Sequence, residues 1–177
     1  MWKNSSTQFG SVAKFFHWII FLLLFCMIIF GYFLDDIPKD YQATAFNLHK
    51  LTGLTILLLM LLRMFWAFIN ERPALPMGTS LTAKILERVM QVVLYLVVFA
   101  MPMVGWIGSC AKGRPPHLGS VDLNLPVPLD KSLGHAMFEM HSLLAITLIV
   151  LVSLHALAAL YHHFVLKDDV LKRMLPH

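Results

Sequence analysis

A chain of 177 residues that is 58% hydrophobic and only 14% charged is too apolar for a water-soluble domain, which would carry roughly a quarter charged residues. Mean hydropathy is +0.72, and the net charge of +4 and pI of about 9.2 are spread thinly along the chain. No basic residues gather on a soluble module, so composition gives nucleic-acid binding no support.

Four apolar runs follow one another: Phe15–Leu34, Leu51–Ile69, Val89–Ile107 and Leu143–Val165. Each approaches the ~20 residues needed to cross a bilayer core. They are continuously apolar, whereas barrel strands would be shorter and alternating. The expected fold class is therefore all-α, a four-helix transmembrane bundle forming one domain over 1–177, with spans near 15–34, 49–69, 88–110 and 139–166. The first run ends in Asp35-Asp36 and lacks a small-residue cleavage site, so it is expected to stay as a span rather than be removed as a signal. Proline-rich stretches, Arg72–Pro76 and Arg114–Pro116, fall between runs and are expected loops. Trp18, Trp66 and Trp106 lie near run ends, as interfacial anchors would. Cys26 in mid-span and Cys110 at a span end predict no disulfide, and no C-x-x-C-H is present for covalent haem attachment.

With the N-terminus inside, nine Lys and Arg fall on the inner side and five on the outer, which predicts both termini in the cytoplasm. That topology sets the depth of four intramembrane histidines. His17 near the start of the first span and His155 late in the fourth lie towards the inner face. His49 at the start of the second and His141 at the start of the fourth lie towards the outer face. The last two are fourteen residues apart, a rise of ~21 Å in nearly four turns, so both project from one face of their helix. Depth pairs His17 with His155 and His49 with His141.

Two imidazoles from facing helices are what a helical bundle uses to hold a haem. Both axial positions are then filled, favouring electron transfer over oxygen binding. A backbone carbonyl on the second ring nitrogen would complete each histidine's partners. Two haem b groups are expected, their iron ligated by His17, His49, His141 and His155. Arg63, fourteen residues after His49, is placed to meet a haem propionate at the inner depth. Gly31 and Gly53 would let a flat macrocycle approach closely, and Ala156, Ala158 and Ala159 keep the surroundings of His155 slim. A zinc or copper site is disfavoured because each pair supplies only two ligands. A proton relay is disfavoured because no Asp or Glu lies within the runs. Methionine ligation and an aromatic electron path are unnecessary with four placed histidines.

Several motifs occur in order with fixed gaps: Lys14, His17-Trp18, then His49-Lys50, Gly53 and Arg63, then Pro102 and Gly105. They continue with His155, His162-His163, Lys167-Asp168, Leu171, Arg173-Met174 and Pro176. Over nearly its whole length the chain resembles the bacterial dihaem cytochrome b561 family, small four-helix membrane cytochromes. The resemblance implies two non-covalent haems on the same four histidines, residence in the bacterial inner membrane and electron exchange with quinone. Part of that family is of the superoxide:ubiquinone oxidoreductase type.

The implied activity is single-electron transfer between a periplasmic-side donor, superoxide among the candidates, and ubiquinone. Lys112, Arg114, His117, Lys131 and His135 in the third loop could attract a small anion, although the outer side carries six acidic against five basic residues. His162, two turns beyond His155, is the candidate quinone partner. His163 is expected to face headgroups, and His177 to be disordered. Expected partners are the lipid bilayer, quinone, and a small anionic donor or periplasmic redox protein, with a homodimer left open. Two rival functions stand: a cytochrome b subunit anchoring a periplasmic dehydrogenase or hydrogenase, and a histidine-dependent proton or metal transporter. The colour of the purified protein separates the transporter from both cytochromes.

Overall fold

In the computed structural model, residues 1–75 and 78–175 are described; the expectations for Pro76, Pro176 and His177 fall outside them. Four long helices carry the chain: α1 (Ser11–Tyr32), α2 (Lys39–Ile69), α3 (Leu81–Ala111) and α4 (Lys131–Tyr161). All four are long and apolar enough to cross a membrane. In hydrocarbon a helix satisfies its backbone internally, which is why the apolar runs take this form.

The helices overrun the apolar stretches where local chemistry permits. Helix α2 begins after Pro38, and its first turns are polar. Helix α3 begins after Ser80, whose hydroxyl accepts from the Ala83 N–H at 3.2 Å. Helix α4 begins after Asp130, whose carboxylate accepts from Ser132 and Leu133 N–H at 2.8 and 3.2 Å. These side chains meet donors that the first turn leaves unpaired. Hydropathy marks what lies in lipid, whereas caps mark where a helix starts.

Close backbone approach runs α1 to α2, α2 to α3 and, most extensively, α3 to α4. The α3–α4 contact rests on two glycines. A Cβ on Gly108 would lie 3.0 Å from Met137 Cβ, and one on Gly134 would lie 3.3 Å from the Gly108 carbonyl. Small residues at such crossings let membrane helices pack by van der Waals contact. A single buried cluster fills the middle of the bundle: Ile20, Ile56, Met60, Val97, Val98 and Leu148.

Each end of the bundle is closed by chain. At the hairpin end, two short strands, β1 (His117–Leu118) and β2 (Val121–Asp122), pair antiparallel across Gly119, whose φ of +61° suits glycine. Asn47 exchanges two 2.9 Å hydrogen bonds with the His117 backbone. Trp106 Nε1 donates to the Leu123 carbonyl at 2.7 Å. At the termini end, Lys14 Nζ donates to the Leu175 carbonyl and Trp18 Nε1 to that of Met174, both at 2.8 Å. Arg173 reaches the Ala74 carbonyl at 2.6 Å, and Asn4 reaches that of Glu71 at 2.8 Å. Trp18 and Trp106 therefore tie chain segments together through their indole N–H groups, a role beyond the interfacial anchoring expected of them.

Gly108→Val should overpack the α3–α4 crossing and cost ~1–3 kcal/mol, read as a lowered unfolding temperature in detergent. Gly53→Ala, whose new methyl would meet only Pro102 Cβ at 3.9 Å, should stay within ~0.5 kcal/mol.

Candidate functional site

The four histidines meet in two pairs. His17 of α1 faces His155 of α4 with ring centroids 6.2 Å apart, and His49 of α2 faces His141 of α4, also at 6.2 Å. Both pairs bridge helices whose backbones do not pack closely, so imidazoles rather than backbone contacts span those gaps. Leu148, fully buried, lies seven residues from each of His141 and His155, so the apolar cluster separates the two pairs.

A metal–imidazole nitrogen bond is ~2 Å, and adding ~1 Å from each nitrogen to its ring centre places two centroids ~6 Å apart across one ion. Both pairs have that separation, with no ring stacking or direct hydrogen bond between partners. Among the described residues, no cluster of three or more His, Cys, Asp or Glu could hold a metal ion by itself. A two-histidine site suits an ion whose remaining ligands come with a macrocycle. Ser153, His155, Ala156 and Ala158 are all exposed, leaving room beside α4 for a flat group.

The second ring nitrogens differ among the four. His141 Nδ1 lies 3.0 Å from the Met101 carbonyl, so Nδ1 carries the proton and Nε2 keeps its lone pair. Gly105 makes this possible, since a Cβ there would stand 3.0 Å from His141 Nδ1. His49 Nδ1 is buried with no hydrogen-bond partner among the described residues, the condition of a ring awaiting one. The Arg63 Nη2 donates to His17 Nδ1 at 3.3 Å, and its guanidinium lies 5.4 Å from the Tyr95 ring centre. An Nε2 ligand needs its proton on Nδ1, so His17 can ligate that way only after Arg63 lets go. His141 is preset; His17 is not.

Both glycines lie against side chains of another helix. The space at Gly31 is taken by the His49 ring, whose Cε1 would lie 3.1 Å from an added Cβ. Gly53 faces Pro102 of α3 at ordinary contact distance. Gly31 thus lies against the His49 ring and Gly53 against Pro102.

Of the cationic residues expected at the hairpin end, Lys112 lays its ammonium 4.6 Å from the Phe138 ring centre, and His135 pairs with Glu139 at 3.4 Å on the surface. Lys131 is exposed in the first turn of α4. Arg114 offers its carbonyl to Lys50 Nζ at 2.9 Å and to the Ser109 hydroxyl. Lys50, next to His49 in sequence and quoted only as part of a motif, thus joins Arg114 at this end; a lone lysine at a span end carries no sequence signal of its own.

At the termini end α4 runs into a π-helical turn, His162–Leu166, closed by Lys167 in the left-handed region at φ 53°. His162 Nδ1 meets Asp168 Oδ2 at 2.6 Å. Burial alone would raise the Asp168 carboxyl, but hydrogen bonds from His162 and from the Val170 N–H outweigh it and hold the group below its ordinary range. His163 has its Nδ1 buried without a partner among the described residues, so it does not simply point to headgroups as expected.

A membrane-spanning helical bundle with paired intramembrane imidazoles defines the class of membrane cytochromes. The model of the prokaryotic cytochrome b561 family matches residues 8–177, and the chain belongs to that family. It is 31% identical to the cytochrome b561 homolog 2 of Escherichia coli (strain K12), an alignment covering 97% of this chain and 93% of that one. It is 30% identical to the probable superoxide oxidase CybB of Yersinia pestis, over 98% and 96%. It is also 30% identical to the cytochrome b562 of Cereibacter sphaeroides, over 90% and 89%. The chain is a multi-pass membrane cytochrome of the b type, and electron transfer is its activity.

Because the Asp168 carboxyl is held low, its contribution to docking the C-terminal tail is present above the ordinary carboxylate range near ~4 and is lost as pH falls through its depressed value. A spin label at position 172 should stay immobile from pH 5 to 8 and loosen in acid. Asp168→Asn should loosen it already at pH 7.

Proposed function

We propose that the chain binds two haem b groups, His17 with His155 holding one and His49 with His141 the other, and passes single electrons from a periplasmic-side donor to ubiquinone. The carrying observation is the equal 6.2 Å separation of both imidazole pairs, each bridging helices that otherwise stand apart. Haem held by these histidines would supply a one-electron couple. The chain supplies position, orientation and charge.

His141 enters with its tautomer fixed by Met101, whereas no hydrogen bond among the described residues fixes that of His49 at Nδ1. Arg63, on releasing His17, keeps its charge within the bundle and is suited to pair a propionate carboxylate. The excess of Lys and Arg on loops at the termini end favours a cytoplasmic position for it, in a bacterial inner membrane. The hairpin end then faces the periplasm as the approach for a donor, and it carries Lys50, Lys112, Arg114, Lys131 and His135. Superoxide, a small anion, suits that approach, and the relative named as a probable superoxide oxidase supports it. Each superoxide gives up one electron and leaves as oxygen. Two electrons and two cytoplasmic protons convert the quinone to quinol. His162, held by Asp168, is the proposed group for hydrogen-bonding a quinone carbonyl and delivering a proton.

His141→Ala should lose mainly one haem and His155→Ala mainly the other, each reducing the pyridine haemochrome count from about two per chain towards one. Equal loss of both from either change would refute the pairing. Rapid mixing of the oxidised protein with superoxide should reduce haem within the mixing experiment, with a rate that falls as salt rises. Absence of haem reduction would remove superoxide as donor and leave the cytochrome intact.

A further inference from the structure

Between the end of α2 and the first turns of α3 lies a cavity of about 360 Å³, lined by Arg72, Ala74, Lys84, Glu87 and Arg88 among others. Three cations face one carboxylate. Arg72 is held in place by donating to Gln91 Oε1 at 2.7 Å, which uses one of its five N–H donors. Among the described residues neither Lys84 nor Arg88 is ion-paired. Arg173 of the C-terminal tail reaches the same loop through the Ala74 carbonyl, bringing a further positive charge nearby. The cavity stands apart from the two histidine pairs, while Glu87 and Arg173 lie within electrostatic reach of His162 and Asp168 at the proposed quinone end.

We propose that this cavity binds the phosphate of an anionic phospholipid. A soluble anion would need only the cations, but exposed apolar side chains flank the cavity's lining in sequence, where α2 ends and α3 begins. Phe68 and Ile69 end α2 at 83% and 58% exposure, and Leu81 and Ile85 open α3 at 73% and 55%. Lys84 and Arg88 are one turn apart on α3, with Leu81, Ile85 and Val89 interleaved. A ligand that fits both features has a phosphate head and acyl chains descending along α2 and α3. Basic pockets between membrane helices, at headgroup level, recognise lipids in this way. The bound lipid would seal the α2–α3 loop, which the N-terminal segment and the C-terminal tail also grip through Glu71 and Ala74.

The test is native mass spectrometry of the haem-loaded protein titrated with dioleoylphosphatidylglycerol or dioleoylphosphatidylcholine. The wild type should retain the glycerol lipid in clear preference to the choline lipid. Each cation removed should weaken that retention by about fivefold, so Arg72→Gln/Arg88→Gln should lose most of the preference. Lys3→Gln/Lys39→Gln, with the same change in net charge, should keep it. Arg72→Lys/Arg88→Lys, which retains the charges, should keep a substantial part and guards against loss of fold in the glutamine variant. Equal retention of both lipids by the wild type, or an unchanged preference in Arg72→Gln/Arg88→Gln, would overturn the assignment. Displacement of the lipid by millimolar inorganic phosphate would overturn it too, because the site would then be one for a free anion.

Discussion

An imidazole inside a membrane must find partners for two nitrogens, and this requirement organises the bundle. The four intramembrane histidines answer it in different ways. His141 donates a hydrogen bond to the Met101 carbonyl, His17 accepts one from Arg63, and His49 keeps a buried nitrogen without a partner among the described residues. The lone pair or proton left over in each pair is directed across a gap that helix packing does not close. A bundle built for packing alone would fill those gaps with leucine and valine. Here a buried apolar cluster of such side chains gathers around Leu148, between the pairs.

That layer and the two gaps depend on each other. The α3–α4 crossing is drawn tight by Gly108 and Gly134, and it fixes α4 as the helix from which both pairs are built. With α4 held on one side, α1 and α2 present their histidines to it at different depths. The caps at either end then limit how far the helices can splay. The indoles of Trp106 and Trp18 fasten these caps, one at each end, through hydrogen bonds to carbonyls far along the chain.

The two ends are unlike in chemistry, which suits an electron carrier with distinct entry and exit. The hairpin end is a short β-ribbon held by backbone hydrogen bonds, with lysine and arginine beside His49. The termini end joins three chain segments and carries His162 with Asp168 on a π turn, a form frequent at functional sites. Membership of the cytochrome b561 family sets these features in an electron-transfer protein whose two ends differ in chemistry.

The sequence by itself determined that the chain crosses a membrane four times, because ~20-residue apolar runs have no other stable state there. It also determined which histidines share a depth, because helical rise is fixed at ~1.5 Å per residue and loops alternate sides. It carried enough motif order to reveal the family. Only the tertiary structure decided what each polar group touches. Met101 lies forty residues from His141, and no pattern along one helix can announce a carbonyl on another. Gly31 lies against the His49 ring of another helix, a neighbour that a glycine in sequence does not name. Asp168 stood in a quoted motif without a role until the π turn carried it onto His162. Periodicity fixes depth and face, whereas contact between helices depends on rotation and crossing angle, and those are set by packing over the whole bundle.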